Sequence, residues 1–306
     1  MSDVRFDGRV ALVTGSGGGL GRVYAKLLAS RGAKVVVNDL GGSVDGTGSG
    51  TRMAEQVVNE IKEAGGEAVP DFNGVDTFEG GAKMVQTALD AYGKLDIVIH
   101  NAGILRDKSF KNMTEEDFDK VIAVHLKGAF NVMKHAFPVM RDNGYGRVVF
   151  ATSAAGLFGN FGQVNYSSAK MGLVGFMNTL KLEGAKYNIK VNAIAPMAAT
   201  RMTEGLMPFP PEAMEKIKPE FVAPMVAYFC SEDCQESGTV VSAGGGYYGR
   251  VAVMEGKGAW VGDGQIPTIE QIKENVTKIM DLSSPDYFDN AGEEGAARIF
   301  PVLMGG

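Results

Sequence analysis

The chain has 306 residues, of which 45% are apolar and 22% charged, an ordinary make-up for a globular protein with a sizeable core. A net charge of −6 excludes the basic footprint of a nucleic-acid binder, and no apolar run reaches the roughly 18 residues that a membrane span needs. Cys230 and Cys234 read as buried thiols of a reducing compartment, and His100, His125 and His135 are too scattered for a metal site, so none is expected.

The start, Met1-Ser2-Asp3-Val4-Arg5, lacks the apolar segment of a secretory signal, and the end, Leu303-Met304-Gly305-Gly306, is no peroxisomal address, so a cytoplasmic location is expected. The first strand is predicted at Val10–Val13. It runs into Thr14-Gly15-Ser16-Gly17-Gly18-Gly19-Leu20-Gly21 and a helix over Leu20–Ser30. A glycine turn between strand and helix lets backbone approach a pyrophosphate, and the helix N-terminus adds partial positive charge. The second strand, Lys34–Asn38, leads to Asp39, placed to accept hydrogen bonds from adenosine ribose hydroxyls. A 2′-phosphate there would meet a second anion. Ser16, Asn38 and Leu40 carry no positive charge, and Arg22, in the following helix, is a less natural partner. The cofactor expected is therefore NAD rather than NADP.

Gly41–Gly50 holds five glycines and is predicted to be a mobile surface loop. A helix over Met53–Ala64, a strand at Glu67–Asp71, a helix over Gly80–Ala91 and a strand at Leu95–His100 follow. Next comes His100-Asn101-Ala102-Gly103, where Asn101 either ties neighbouring strands together or touches ribose, two compatible roles. A long helix is predicted over Glu115–Arg141, then a strand at Arg147–Thr152 ending beside Ser153. The helix Tyr166–Tyr187 puts Tyr166 and Lys170 on one face, one turn apart. A strand at Lys190–Ile194 leads into Met197–Pro219, an apolar lid rich in methionine and proline. The helix Glu220–Ser231 and the strand Thr239–Ser242 close the series. Seven nearly continuous apolar strands alternating with helices describe an α/β, doubly wound (Rossmann) parallel sheet with helices on both faces.

The residues after Gly246 read as a C-terminal extension packed on the main domain, giving a division into 1–246 and 247–306. A hairpin is predicted at Arg250–Val261. A capping box of Thr268 and Gln271 opens a helix over Ile269–Asp281.

A free phenol has a pKa near 10 and is a poor base at neutral pH, but a nearby ammonium and a nicotinamide positive charge favour phenolate. Ser153, at the carboxyl edge of the sheet, can orient a substrate oxygen. A Tyr-x-x-x-Lys pair alone is commonplace. Together with Ser153 and the glycine loop it describes hydride transfer to or from a hydroxyl or carbonyl carbon.

Over residues 7–245 the chain resembles the short-chain dehydrogenase/reductase family, through Thr14-Gly15 with Gly19-Leu20-Gly21, Asn101-Ala102-Gly103, Ser153, Tyr166 and Lys170. Val37-Asn38-Asp39-Leu40-Gly41-Gly42, Gly103-Ile104-Leu105-Arg106-Asp107, Tyr145-Gly146-Arg147, Gly159-Asn160-Phe161-Gly162-Gln163 and Ala195-Pro196 with Arg201-Met202-Thr203 narrow the likeness. They are similar to the (3R)-hydroxyacyl-CoA dehydrogenase part of the type 2 peroxisomal multifunctional enzymes, also described as 17β-hydroxysteroid dehydrogenase type 4. Without the hydratase and sterol-carrier parts of those enzymes, the chain reads as a stand-alone bacterial relative.

The resemblance implies Tyr166 as acid/base, Lys170 on the nicotinamide ribose, and Ser153 with Tyr166 on the reacting oxygen. It implies cofactor contacts from Gly15, Gly19, Leu20, Gly21, Asp39, Asp76, Thr77, Asn101, Ala102, Gly103, Ala198 and Thr200. His100 and His125 depart from the family, which uses asparagine at both places. His125 is either a helix residue hydrogen-bonded to backbone or the holder of a water linking Lys170 to solvent. The implied activity is NAD-dependent oxidation of a (3R)-3-hydroxyacyl-CoA, with Arg106, Lys108 and Lys111 as cations for the CoA. Alternatives are a steroid or other secondary-alcohol dehydrogenase, an oxoacyl-carrier-protein reductase, or a silent dinucleotide-binding regulator, which should have lost Ser153, Tyr166 or Lys170. The resemblance also implies a homodimer or homotetramer.

Overall fold

A computed structural model describes residues 3–200, 210–262 and 264–299. The chain divides into two compact units, Met1–Arg250 and Val251–Gly306.

The first unit alternates strands and helices: β1 (Val10–Thr14), α1 (Gly19–Ser30), β2 (Lys34–Asn38), α2 (Arg52–Glu63), β3 (Glu67–Asp71), α3 (Phe78–Tyr92) and β4 (Ile97–His100). It continues through α4 (Glu115–Ile122), α5 (Gly128–Asn143), β5 (Gly146–Ala151), α6 (Ala154–Phe158), α7 (Val164–Gly184), β6 (Ile189–Pro196), α8 (Pro211–Met214), α9 (Ala223–Cys230), β7 (Val240–Gly244) and β8 (Tyr247–Val251). The sheet order is β3-β2-β1-β4-β5-β6-β7-β8, and the pairs from β3 through to β7 are parallel. The chain winds outward from β1 to β3, then crosses back to place β4 on the other side of β1. That reversal opens a crevice at the carboxyl ends of β1 and β4.

The strands are apolar on both faces because both are covered. Ala11, Val13, Val35, Val37, Ile97 and Ile99 pack in one core with Tyr24, Leu28, Val57, Ile61 and Phe229 from α1, α2 and α9. The alternate residues Leu12, Val36, Val98 and Val148 are equally buried, beneath α3, α5 and α7. Each such side chain contributes about 1.5–3 kcal/mol through burial. Pro70 lacks an N–H for a ladder, and it sits in β3, the edge strand.

Three features differ from the sequence reading. Among the described residues the sheet has eight strands, not seven. Gly245 and Gly246 both take positive φ, 58° and 85°, the requirement of a two-residue type I′ turn, and the chain folds straight back as β8 beside β7. The predicted hairpin over 250–261 does not form. Glu255 instead pairs with Asp286 in an antiparallel bridge. The predicted helix Glu115–Arg141 runs through as expected but carries a π turn. Between α4 and α5, Ala123–Lys127 forms a π-helical turn, a feature that releases a carbonyl from the helical ladder.

In the second unit, α10 (Ile269–Ile279) starts at the predicted capping box: Thr268 Oγ1 accepts from Gln271 N, and Gln271 Oε1 accepts from Thr268 N. A last helix, α11 (Ala291–Arg298), is capped by Asn290. Among the described residues no helix is long and apolar enough to cross a membrane, and no cluster of His, Cys, Asp and Glu could hold a metal ion.

Candidate active site

The crevice between β1 and β4 opens into a cleft of about 260 Å³. Its floor is the turn from β1 into α1. Thr14 Oγ1 accepts from the backbone N–H groups of both Asn101 and Ala102, and the Asn101 side-chain amide donates to Thr14 O and Gly15 O. Of the two roles open to Asn101, tying β4 to the glycine turn is the one visible in its bonds. The glycines divide by task. A Cβ on Gly21 would lie 2.3 Å from Gly15 O and 2.7 Å from Asn101 Nδ2, and one on Gly15 would lie 2.7 Å from Ala102 Cα. Those two are glycines because backbone packs against backbone. Gly18 and Gly19 face the cleft itself, and Gly19 takes a φ of 51°.

Asp39 stands at one end of the cleft. Its Oδ2 accepts from Gly17 N at 2.8 Å and its Oδ1 from Gly41 N at 2.7 Å, so the carboxylate is held in one orientation. Each oxygen keeps a further acceptor site. Arg22 points elsewhere, its guanidinium on Glu60 Oε2 at 2.7 Å. Asp76 and Gly74 line the same end. The wall behind them is braced by Asp71, buried, which accepts from Asn38 Nδ2, Asn73 N, Asn73 Nδ2 and Thr87 Oγ1.

Tyr166 and Lys170 stand at the other end, on α7. Lys170 is buried and donates to Ala151 O at 2.5 Å, while Thr152 Oγ1 donates to Lys170 O at 2.8 Å, fixing α7 against β5. Ser153 caps α6 by accepting from Ala155 N, and its hydroxyl is the one neighbour that favours the charged form of the Tyr166 phenol. Lys170 Nζ lies 5.4 Å from the centre of the tyrosine ring. Burial pushes the Lys170 ammonium down to about 7. It pushes the Tyr166 phenol up, against the lowering effect of Ser153, with the negative charge of Asp107 adding to the rise. Among the protein's own groups, burial is the largest influence on the phenol.

Of the two histidines that replace asparagines, His125 packs against Tyr166 and His100 is hydrogen-bonded to the His125 backbone. His100 Nε2 lies 3.0 Å from His125 O, which can only accept, so Nε2 carries the proton and Nδ1 faces Thr14 Oγ1 at 3.4 Å. Burial drives His100 down to about 4 and holds His125 well below its ordinary value, in both cases with the Lys170 charge adding to the effect. The carbonyl of His125 is available to His100 because it lies in the π turn. The His125 ring stands edge-on to Tyr166, with centroids 5.2 Å apart, and its Nε2 is within hydrogen-bond distance of Ile104 N and Ile104 O. The backbone-bonded reading of His125 thus matches its contacts. Its Nδ1 is buried without a protein partner among the described residues.

Of the residues expected at the cofactor, Gly15, Gly19, Leu20, Asp39, Asp76, Asn101, Ala102, Gly103, Tyr166, Lys170 and Thr200 line this one cleft. Gly21, Thr77 and Ala198 do not. Gly21 packs under Gly15, Thr77 caps α3 by accepting from Gly80 N at 3.0 Å, and Ala198 is buried. Part of the apolar lid, at 201–209, lies outside the described residues. The proposed CoA cations are mostly engaged: Lys108 pairs with Asp117 at 2.8 Å, and Arg106 with Glu116 at 3.4 Å and Asp117 at 3.6 Å. The sequence reading did not single out Asn73 and Gly74, after β3, or Val44 and Gly46, from the loop expected to be a mobile surface loop.

The model of the short chain dehydrogenase family matches residues 9–209. The chain belongs to that family. As a family member it is an oxidoreductase with the fold that commonly binds a nicotinamide dinucleotide. Across 275 residues it is 53% identical to a putative short-chain type dehydrogenase/reductase of Mycobacterium tuberculosis, covering 90% of this chain and 95% of that one. It is 47% identical to peroxisomal multifunctional enzyme type 2 of Drosophila melanogaster, over 98% of this chain and 50% of the fly protein. The solved structure of that full-length enzyme superposes with a TM-score of 0.82 at 39% identity, covering 98% of this chain and 50% of that one. A peroxisomal hydratase-dehydrogenase-epimerase of Saccharomyces cerevisiae is 49% identical over 249 residues, 81% of this chain and 27% of the yeast protein. The chain thus spans half or less of these multifunctional relatives.

Proposed function

We propose that the protein is an NAD-dependent dehydrogenase that oxidises the hydroxyl of a (3R)-3-hydroxyacyl-CoA to a ketone. The observation that carries the reading is the sharing of one cleft by a fixed ribose-type acceptor, Asp39, and the pair of half-buried Tyr166 and buried Lys170. The groups present suit a dinucleotide. Gly18 and Gly19 open backbone to the cleft, Asp39 retains acceptor sites for two ribose hydroxyls, and a 2′-phosphate would meet that carboxylate with Arg22 already paired to Glu60.

When bound, the oxidised nicotinamide supplies the hydride acceptor and a positive charge near the tyrosine. Ser153 holds the substrate oxygen and orients it toward Tyr166. Tyr166 takes the hydroxyl proton as the carbon loses hydride. Lys170 holds ribose hydroxyls, and a pKa near 7 lets it exchange a proton at neutral pH. His125, against Tyr166, and His100, bonded to the His125 carbonyl, are held as uncharged imidazoles, so no fixed cation opposes protonation of Lys170.

The substrate assignment rests on the resemblance to the hydroxyacyl-CoA group and on chemistry. A hydratase turns a double bond into an alcohol, and a dehydrogenase beside it in one polypeptide suits that alcohol as substrate. Tyr166→Phe tests the mechanism. It removes the proton acceptor but keeps the ring against His125, so turnover should fall by at least about a hundredfold while NADH still binds. Substantial oxidation by that variant at neutral pH would refute the assignment.

A further inference from the structure

The ten residues Gly41–Gly50, read from sequence as a mobile surface loop, are folded and lie across the cleft. The loop closes at its own base, where Gly50 N donates to Leu40 O at 2.8 Å. At Gly41, with φ at 75°, a Cβ would sit 2.0 Å from Gly50 O, so the neck requires glycine. Inside, Ser43 N donates to Thr47 O, Gly46 N to Ser43 O, and Thr47 Oγ1 to Asp45 Oδ1. This is a self-packed Ω-loop, able to move as one body.

Its tip reaches the opposite wall. Leu105 N donates to Val44 O at 2.9 Å, Arg106 Nε donates to Asp45 O at 3.0 Å, and Gly46 packs on Ile104, where a Cβ would lie 3.1 Å from Cδ1. The loop leaves β2, and its landing site follows β4, on the other side of β1. It therefore bridges the crevice at the reversal of strand order. Gly42, Ser43, Val44, Gly46 and Gly48 line the cleft between Asp39 at one end and Tyr166 at the other.

We propose that this loop is a further part of the cofactor site, a strap that closes over the bound dinucleotide and is latched by Arg106. The proposal rests on the reading that the cleft binds NAD. A ligand stretching from Asp39 to Tyr166 lies beneath the strap, so it leaves when the strap swings. The tip is held by two hydrogen bonds to backbone carbonyls and one packing contact, all at residues 104–106. The Arg106 side chain is only 14% exposed and also pairs with Glu116 and Asp117. It therefore stays in place when Asp45 O lets go, ready to latch again.

The test is stopped-flow release of NADH, read by its fluorescence, from the full-length protein. Arg106→Ala removes a charge-assisted bond to a carbonyl and should speed release about five- to tenfold. It also breaks two ion pairs at α4, so Gly46→Val provides the control. A branched side chain at φ 82°, pressed on Ile104, lifts the strap tip without touching α4 and should accelerate release in the same way. If the wild-type protein holds NADH and both variants release it at the wild-type rate, the strap is wrong and the NAD reading stands. If the wild-type protein does not bind NADH, both fall.

Discussion

Lys170 is held at a cost, and its size can be worked out. The side chain is buried, with a single carbonyl, Ala151 O, accepting from its ammonium. The drop from 10.5 to about 7 corresponds to roughly 3–5 kcal/mol against the charged form. Because the folded-state value lies below the unfolded one, the unfolded chain holds a proton between about pH 7 and 10.5 that the folded chain has released. Stability should therefore rise with pH across that window, with the penalty fully present below it and absent above it. Lys170→Met keeps the length of the side chain and removes the charge. In urea unfolding followed by circular dichroism at about pH 6.5, the variant should be more stable than wild type by roughly 2–4 kcal/mol, and the gap should shrink by about pH 9.5. Turnover should be lost in the same variant, an instance of stability given up for function. Equal stability at both pH values, or a gap that does not change with pH, would refute the reasoning.

Two further outcomes follow from the cofactor end. Asp39→Ala combined with Leu40→Arg should weaken NAD use and raise NADP use, measured as kcat/KM for each; a wild-type protein that already prefers NADP would contradict the role given to Asp39. Gly21→Ala pushes a methyl group into Gly15 O and Asn101 Nδ2, and should cost roughly 1–3 kcal/mol in urea unfolding and weaken NADH binding. An alanine variant that behaves as wild type would show that the turn has slack.

The parallel sheet was legible because its strands are apolar on both faces, as in Val35, Val36 and Val37, a pattern that needs helices on either side. Asp39, Tyr166 and Lys170 were legible because their spacing from a turn or along a helix fixes where they point. The eighth strand was missed although its signal, three glycines in a row, was present: the turn type depends on two positive φ values that glycine permits without requiring. The π turn at His125 was not readable. A π turn adds no sequence marker, and the bond that uses its freed carbonyl comes from His100, on a strand 25 residues earlier. The place of the Gly41–Gly50 loop along the cleft was not readable for a related reason. Gly41 and Gly46 do take positive φ, 75° and 82°, but at Gly41 the Gly50 backbone also leaves no room for a side chain, a closeness the sequence does not show.

The account turns on substrate and hand, and one assay bears on both. Initial rates of NAD reduction by the full-length protein should be measured with (3R)- and (3S)-3-hydroxyacyl-CoA of the same chain length. The fixed placement of Tyr166 relative to the nicotinamide end of the cleft offers one face of the carbon to hydride transfer, and the resemblance implies the 3R alcohol. Rapid reduction with the 3R isomer and little with the 3S isomer is the predicted result. Equal rates with both, or reduction only with steroid alcohols, would contradict it.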